Sequence, residues 1–80
     1  MRAYVLIESA VGKANSVGEG VKKLTLTDAA VVAVDAVTGP YDVIARGEAA
    51  DLDELAKSVV MPVQAVEGVT RTLTCPILQL

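Results

Sequence analysis

The 80-residue sequence contains no His, Phe or Trp, only two Tyr and a single Cys. Without histidine the chain lacks both the commonest metal ligand and the commonest general base, which disfavours most enzyme chemistry. A lone Cys75 cannot form an internal disulfide, and no histidine is available to activate it as a nucleophile. We therefore expect a protein that is not an enzyme and that carries no metal and no cofactor.

Basic charge and long apolar runs are also scarce. Seven Lys and Arg stand against ten Asp and Glu, for a net charge of −3, and no basic cluster extends beyond Lys22-Lys23. DNA binding depends on neutralising several phosphates, which this chain cannot do on one face. The longest apolar run, residues 29–34, is far shorter than a membrane span, and residues 1–2 lead directly into a strand pattern rather than a signal peptide. We expect a soluble, cytoplasmic protein that binds neither nucleic acid nor membrane.

Small apolar residues are abundant, since the chain has 14 Val and 12 Ala and a hydrophobic fraction of 52%. A single domain of this size buries only about 60–70% of the surface that its unfolded chain exposes. Part of the apolar surface should therefore remain exposed, and a large exposed apolar patch usually marks an interface. We expect residues 1–80 to form one domain that oligomerises.

Four segments have the β-branched and aromatic composition of strands: residues 3–9, 29–37, 43–49 and 69–78. The second and third segments are separated by the turn residues Thr38-Gly39-Pro40-Tyr41-Asp42, which predicts an antiparallel hairpin. Thr27-Asp28 is predicted to separate the second strand from the element before it.

Two helices are predicted between these strands. The first carries Val17, Val21 and Leu24 on one face. The second opens at Asp51 with a capping box, and it should kink or restart at Pro62. The resulting βαββαβ order predicts an α+β, ferredoxin-like fold, with a four-stranded antiparallel sheet and both helices on one sheet face.

The other face of the predicted sheet carries a mixture of apolar, Thr and charged residues. Such a mixture suits neither a core nor a water-facing surface, so we predict a sheet-to-sheet dimer. Its interface would include Tyr4, Leu6, Ala33, Ile44 and Arg46, with Arg46 pairing with Glu8 or Asp35 within or across the subunits. Strand alternation also assigns Val31, Glu48, Thr70, Thr72 and Thr74 to this face.

Several segments resemble the effector-binding (RAM-type) domain of the leucine-responsive Lrp/AsnC regulators. They are the strand Ala-Tyr-Val-Leu-Ile-Glu at residues 3–8, the Val-Gly-Lys turn at residues 11–13, Val-Thr-Gly-Pro-Tyr-Asp-Val-Ile at residues 37–44, and Gly-Val-Thr-Arg-Thr-Leu-Thr-Cys-Pro at residues 68–76. The resemblance covers essentially the whole chain. Because the DNA-binding half of the full regulators has no counterpart here, the chain looks like the stand-alone form of the domain.

This resemblance implies a ferredoxin-like protomer whose sheet-to-sheet dimers close into a ring, an octamer or similar, with amino-acid effectors bound between dimers. It places Gly39, Tyr41 and Asp42 at the effector site, with Thr70, Thr72 and Thr74 matched less closely. Asp42 would accept hydrogen bonds from an ammonium group, while backbone N–H groups and Thr hydroxyls would bind a carboxylate. The implied function is regulation through ligand-dependent oligomerisation or through association with full-length Lrp/AsnC regulators.

Other interpretations of the same residues remain open. Gly39-Pro40 also suits an ordinary turn, Asp42 could bond its own loop, Tyr41 could pack at an interface, and the Thr residues also suit strands in general. An amino-acid-sensing ACT-like module shares the topology but pairs its subunits side by side. Small dimeric ferredoxin-like enzymes also share it, although they usually need a His, an aromatic-lined cavity or a metal.

Overall fold

The computed structural model describes residues 1–26 and 29–79, so the predicted break at Thr27-Asp28 lies outside the described residues. The elements follow the βαββαβ order, with a second helix built from three consecutive segments. They are β1 (Arg2–Ser9), α1 (Ala14–Lys22), β2 (Ala29–Ala36), β3 (Val43–Ala49), α2 (Leu52–Leu55), a π-helical turn (Ala56–Val60), α3 (Met61–Gln64) and β4 (Val69–Pro76).

The four strands form one antiparallel sheet in the order β2-β3-β1-β4. Strands β1 and β3 are therefore central, and β2 and β4 are the edges. Val5 lies opposite Ala45 on one side and Thr74 on the other. This architecture confirms the predicted α+β, ferredoxin-like fold.

The core lies between the helices and one sheet face and consists only of Val, Ala, Ile and Leu. Its fully buried members include Val5 and Ile7 of β1, Val17 of α1 and Val59 of the π-helical turn. Gly47 of β3 allows the second helix to approach closely, because a Cβ there would lie 2.8 Å from Cγ1 of Val59. Small residues thus set the helix-to-sheet distance.

The second helix begins as predicted. The Asp51 carboxylate accepts a hydrogen bond from the backbone N–H of Glu54 at 2.8 Å, which is an N-cap contact. The Glu54 carboxylate instead accepts from the Ser58 hydroxyl at 2.8 Å. Pro62 lies in the first turn of α3, directly after the π-helical turn. The predicted restart is confirmed, because Pro has no N–H to continue the preceding α-helical ladder.

The assignment of Val31 to the open face is wrong. The β2–β3 register shifts between Val31 and Ala33, so that Val31 lies opposite Gly47 while Ala33 lies opposite Arg46. Directly opposite residues of an antiparallel pair share a face. The extra residue of this bulge therefore turns Val31 toward the helices, where it packs against the core.

The assignment of Thr72 and Thr74 to the open face is also wrong. These residues lie opposite Ile7 and Val5, whose side chains are buried under the helices. Leu73 instead lies opposite Leu6 and takes its place on the open face. Both sets of alternating β4 side chains are partly apolar, so alternation alone does not show which set faces the helices. The register with β1 shows that Thr72 and Thr74 do.

Candidate functional site

The loop of residues 37–42 joins β2 to β3 and contains three of the predicted effector-binding residues, Gly39, Tyr41 and Asp42. The backbone N–H of Val37 donates to the Asp42 carbonyl at 2.9 Å and closes the loop. Gly39 has a φ of 138°, which only glycine adopts readily. Gly39 is exposed, and Tyr41 and Asp42 are half-buried. The predicted turn is therefore present.

Asp42 connects this loop to the end of β1. Its Oδ2 accepts hydrogen bonds from the Ser9 backbone N–H at 2.8 Å and from the Ser9 hydroxyl at 3.1 Å. Its own N–H donates to the Ile7 carbonyl at 2.9 Å. Both described contacts of the carboxylate thus go to Oδ2, and Oδ1 is the atom left to take a donor from elsewhere. Asp42 therefore has a structural role, and one of its two carboxylate oxygens receives no donor among the described residues.

Ser9 was not predicted as a site residue. It lies beyond the end of the β1–β3 pairing, whose last partners are Ile7 and Val43, so its N–H has no strand partner there and bonds the Asp42 carboxylate instead. The two residues are 33 positions apart in the chain. No local pattern could reveal this contact.

Two further loops lie at the same end of the sheet. The backbone N–H of Ala10 donates to the Gly68 carbonyl at 2.8 Å, which ties the loop after β1 to the turn before β4. Val11, in the first of these loops, is fully exposed. The three connections together form an irregular surface, and a side chain such as Val11 would be covered only by another molecule.

The Thr residues divide between two places. The Thr70 hydroxyl donates to the Glu8 carbonyl at 3.0 Å, close to Ser9 and at the same end as the loop of residues 37–42. The Thr72 hydroxyl accepts from Gln64 Nε2 at 3.0 Å, beside α3, and Thr74 lies further along β4. The structure brings Thr70 toward the loop and leaves Thr72 and Thr74 under the second helix.

The predicted interface residues lie together on the open sheet face. Tyr4 is opposite Arg46, Leu6 is opposite Ile44, and Ala33 is also opposite Arg46. Tyr4 is 43% exposed, and Leu73 on the same face is 47% exposed. The placement of this set is confirmed, and dimerisation through it stays a prediction.

Arg46 lines a shallow recess of about 160 Å³ on this face, together with Tyr4, Ala33, Asp35 and Ile44. Its Nε is buried and has no hydrogen-bond partner among the residues described. Within the same part of the chain no ion pair joins Arg46 to Glu8 or Asp35, and the pair that does form is Lys22 with Glu19. The predicted pairing inside one subunit is therefore not formed.

Residues 1–26 and 29–79 contain neither a helix that could span a membrane nor a cluster of side chains that could bind a metal ion. No helix there has the length and apolarity to cross a membrane. Those residues also contain no group of three or more His, Cys, Asp or Glu that could hold a metal ion.

Known proteins resemble the chain over its full length. The family model of the Lrp/AsnC ligand binding domain matches residues 2–80. TTHA0845 from Thermus thermophilus is 33% identical, with a TM-score of 0.82, and the match covers 99% of this chain and 94% of that protein. A hypothetical protein from Pyrococcus horikoshii, PHS023, is 25% identical with a TM-score of 0.72, covering 98% and 90% of the two chains.

A longer protein shares the fold. AsnC of E. coli is 16% identical with a TM-score of 0.77, and the match covers 98% of this chain but 50% of AsnC. The chain thus spans about half the length of AsnC. A comparison with curated protein sequences found no match.

Proposed function

Because the chain belongs to the Lrp/AsnC ligand-binding domain family and is thus a regulatory effector-binding domain, we propose that its effector is an amino acid. We further propose that it binds this effector without catalysing a reaction. Binding would change how copies of the chain assemble with one another or with full-length Lrp/AsnC regulators.

The main support for this proposal is the geometry of the loop of residues 37–42. An amino acid needs an anionic acceptor for its ammonium group and several donors for its carboxylate. Asp42 supplies a carboxylate whose Oδ2 is fixed by Ser9 and whose Oδ1 receives no donor among the described residues. Gly39, with its positive φ and no side chain, allows a ligand to approach the loop backbone.

We place this site at a junction between subunits. The loop of residues 37–42 and the loop carrying Val11 lie at one end of the sheet, and Gly39 and Val11 are exposed in the protomer. A second subunit packed on this end would cover the Val11 side chain and the Gly39 backbone and would enclose a ligand beside Asp42. Effector binding and assembly would then stabilise each other, since a ligand that contacts two subunits favours the state in which both are present.

Sheet-to-sheet pairing supplies the dimer from which the larger ring would be built. The apolar residues of the open face, Tyr4, Leu6, Ile44 and Leu73, form the surface for that contact. An ACT-like module would instead pair through strand edges or helices. The apolar character of the open face favours the Lrp/AsnC type of assembly.

Native mass spectrometry with and without each of the 20 amino acids tests the proposal, because it reports subunit number and bound ligand together. We expect at least one amino acid to bind and to increase the population of assemblies larger than a dimer. An Asp42→Asn variant should lose this response, whereas Asp53→Asn, on the exposed first turn of the second helix, should keep it. If no amino acid binds the wild type, or if both variants respond equally, the proposal is wrong.

A further inference from the structure

One arginine of the open sheet face has a buried side-chain N–H that lacks an acceptor among the described residues. Arg46 Nε is buried and forms no hydrogen bond with any described residue. A buried N–H without an acceptor is unfavourable and rare in folded proteins. An acceptor from outside the protomer would remove this penalty.

Four other charged residues of this face are register partners on neighbouring strands, although no ion pair forms between them among the described residues. Arg2 lies directly opposite Glu48, and Glu8 lies directly opposite Arg71. The remaining two charged residues have no such counterpart, since Arg46 lies opposite Tyr4 and Ala33.

The last of these charges is Asp35, which lies opposite Ile44 and is exposed. Arg46 and Asp35 line the same recess from neighbouring strands, β3 and β2. Among the described residues, no ion pair joins the two. The recess therefore presents a positive and a negative group side by side, each able to take a partner.

A surface of this kind is complementary to itself. In a twofold-symmetric contact, if residue i of one subunit meets residue j of the other, then residue j of the first also meets residue i of the second. One Arg and one Asp per subunit thus suffice for two identical ion pairs across the axis. A free anion, by comparison, would satisfy Arg46 and leave Asp35 without a cation.

We propose that this recess is the centre of a homodimer contact, in which Arg46 donates to Asp35 of the partner subunit and Asp35 accepts from Arg46 of the partner subunit. The inference rests on the sheet-to-sheet dimer of the proposed function, and it adds the residue pairing and hence the register of the two sheets.

The surroundings of the recess suit such pairs. Tyr4 and Ile44 line it, and Leu6 and Leu73 continue the apolar surface along β1 and β4. These side chains would exclude water around the two ion pairs once the sheets meet. Arginine is enriched among the central, desolvated residues that dominate interface affinity, and its guanidinium fork fits a carboxylate in two places.

Charge exchange between the two positions tests the proposal. Arg46→Glu alone would bring together carboxylates at positions 46 and 35, and Asp35→Arg alone would bring together guanidinium groups. We expect each variant by itself to dissociate at least tenfold more readily than the wild type in sedimentation equilibrium. An equimolar mixture of the two should form a heterodimer with both pairs restored, and the double variant Arg46→Glu/Asp35→Arg should again form a homodimer.

Two controls make the outcome specific. Asp53→Arg makes the same side-chain change on the exposed helix surface and should leave the dimer unchanged. Glu8→Arg places a new arginine on the same face outside the recess, and it should fail to rescue Arg46→Glu. Circular dichroism checks folding, and the neutral variants Arg46→Gln and Asp35→Asn repeat the test without charge repulsion.

Each result decides the matter. If both single variants dimerise as tightly as the wild type, the recess lies outside the interface and the proposal is wrong. If both dissociate but the mixture and the double variant stay monomeric, Asp35 is not the acceptor of Arg46. A monomeric wild type at micromolar concentration would refute sheet-to-sheet assembly itself. A wild type that dimerises but binds no amino acid would refute only the proposed effector site.

Discussion

Asp42 combines a structural contact with a proposed ligand contact, and substitution at this position can separate the two. In Asp42→Ala the Ser9 N–H and hydroxyl both lose their acceptor, Oδ2, at 2.8 and 3.1 Å. A hydrogen bond to a charged group contributes about 1.5–3 kcal/mol when it is buried. Because this site is half-buried and water can replace part of the contact, we expect a loss of about 1–2 kcal/mol in unfolding free energy.

Asp42→Asn is the matched variant. An amide oxygen can still accept from Ser9, so the loss of stability should stay below about 1 kcal/mol, within the range of a neutral hydrogen bond. The amide is uncharged, however, and it replaces the carboxylate that would neutralise an effector ammonium group. Removing one partner of a desolvated charged pair costs about 2–5 kcal/mol, which is a loss of roughly thirty-fold to several-thousand-fold in affinity.

Urea unfolding and isothermal titration calorimetry measure the two effects separately. Unfolding should be compared at equal protomer concentration, because assembly adds to apparent stability. We expect Asp42→Asn to keep most of its stability and to bind the effector as weakly as Asp42→Ala, while Ser9→Ala should lose a little stability and keep its affinity. An effector that binds wild type and Asp42→Asn equally would show that the Asp42 carboxylate serves the fold alone.

Three further predictions concern packing, assembly and DNA. Gly47→Ala should lower the unfolding free energy by about 1–3 kcal/mol in urea, because its Cβ would lie 2.8 Å from Cγ1 of buried Val59; Gly18→Ala, whose Cβ would meet nothing within 4 Å, is the control and should not destabilise. Leu6→Asp should leave a monomer in sedimentation, since an unpaired carboxylate in that interface costs several kcal/mol, and a dimeric variant would move the interface elsewhere. The purified chain should not retard duplex DNA at physiological salt because of its net charge of −3, and retardation would contradict this.

The order of elements could be predicted from the sequence because each boundary has a local cause. The strand at residues 43–49 was predicted with its observed bounds, since it starts after the Gly39-Pro40 turn and ends before the Asp51 N-cap. Pro62 likewise marks where the second helix restarts. These signals act over three or four residues, which is the range in which turn and capping chemistry operates.

Which face of the sheet a side chain occupies depends on the register between strands. Local sequence patterns predict this less well than they predict the order of the elements. Val31 was assigned to the wrong face because one extra residue in β2, before Ala33, reverses the alternation. Thr72 and Thr74 were misplaced because their strand alternates two partly apolar sets, and the register with β1 decides between them. The Ser9–Asp42 contact depends on where the β1–β3 pairing ends and on a loop distant in the chain.

The distribution of side-chain size between the two sheet faces connects the composition to assembly. The face under the helices holds Ala3, Val5 and Ile7 of β1, and the close approach of the second helix at Gly47 leaves no space there for an aromatic ring. Tyr4, the largest side chain of the same strand, lies on the open face together with Leu6. The protomer core is therefore small, and much of the apolar area that could stabilise the protein lies on a surface that a second copy would cover. Stability should accordingly rise with protein concentration, as it does whenever folding and association are linked.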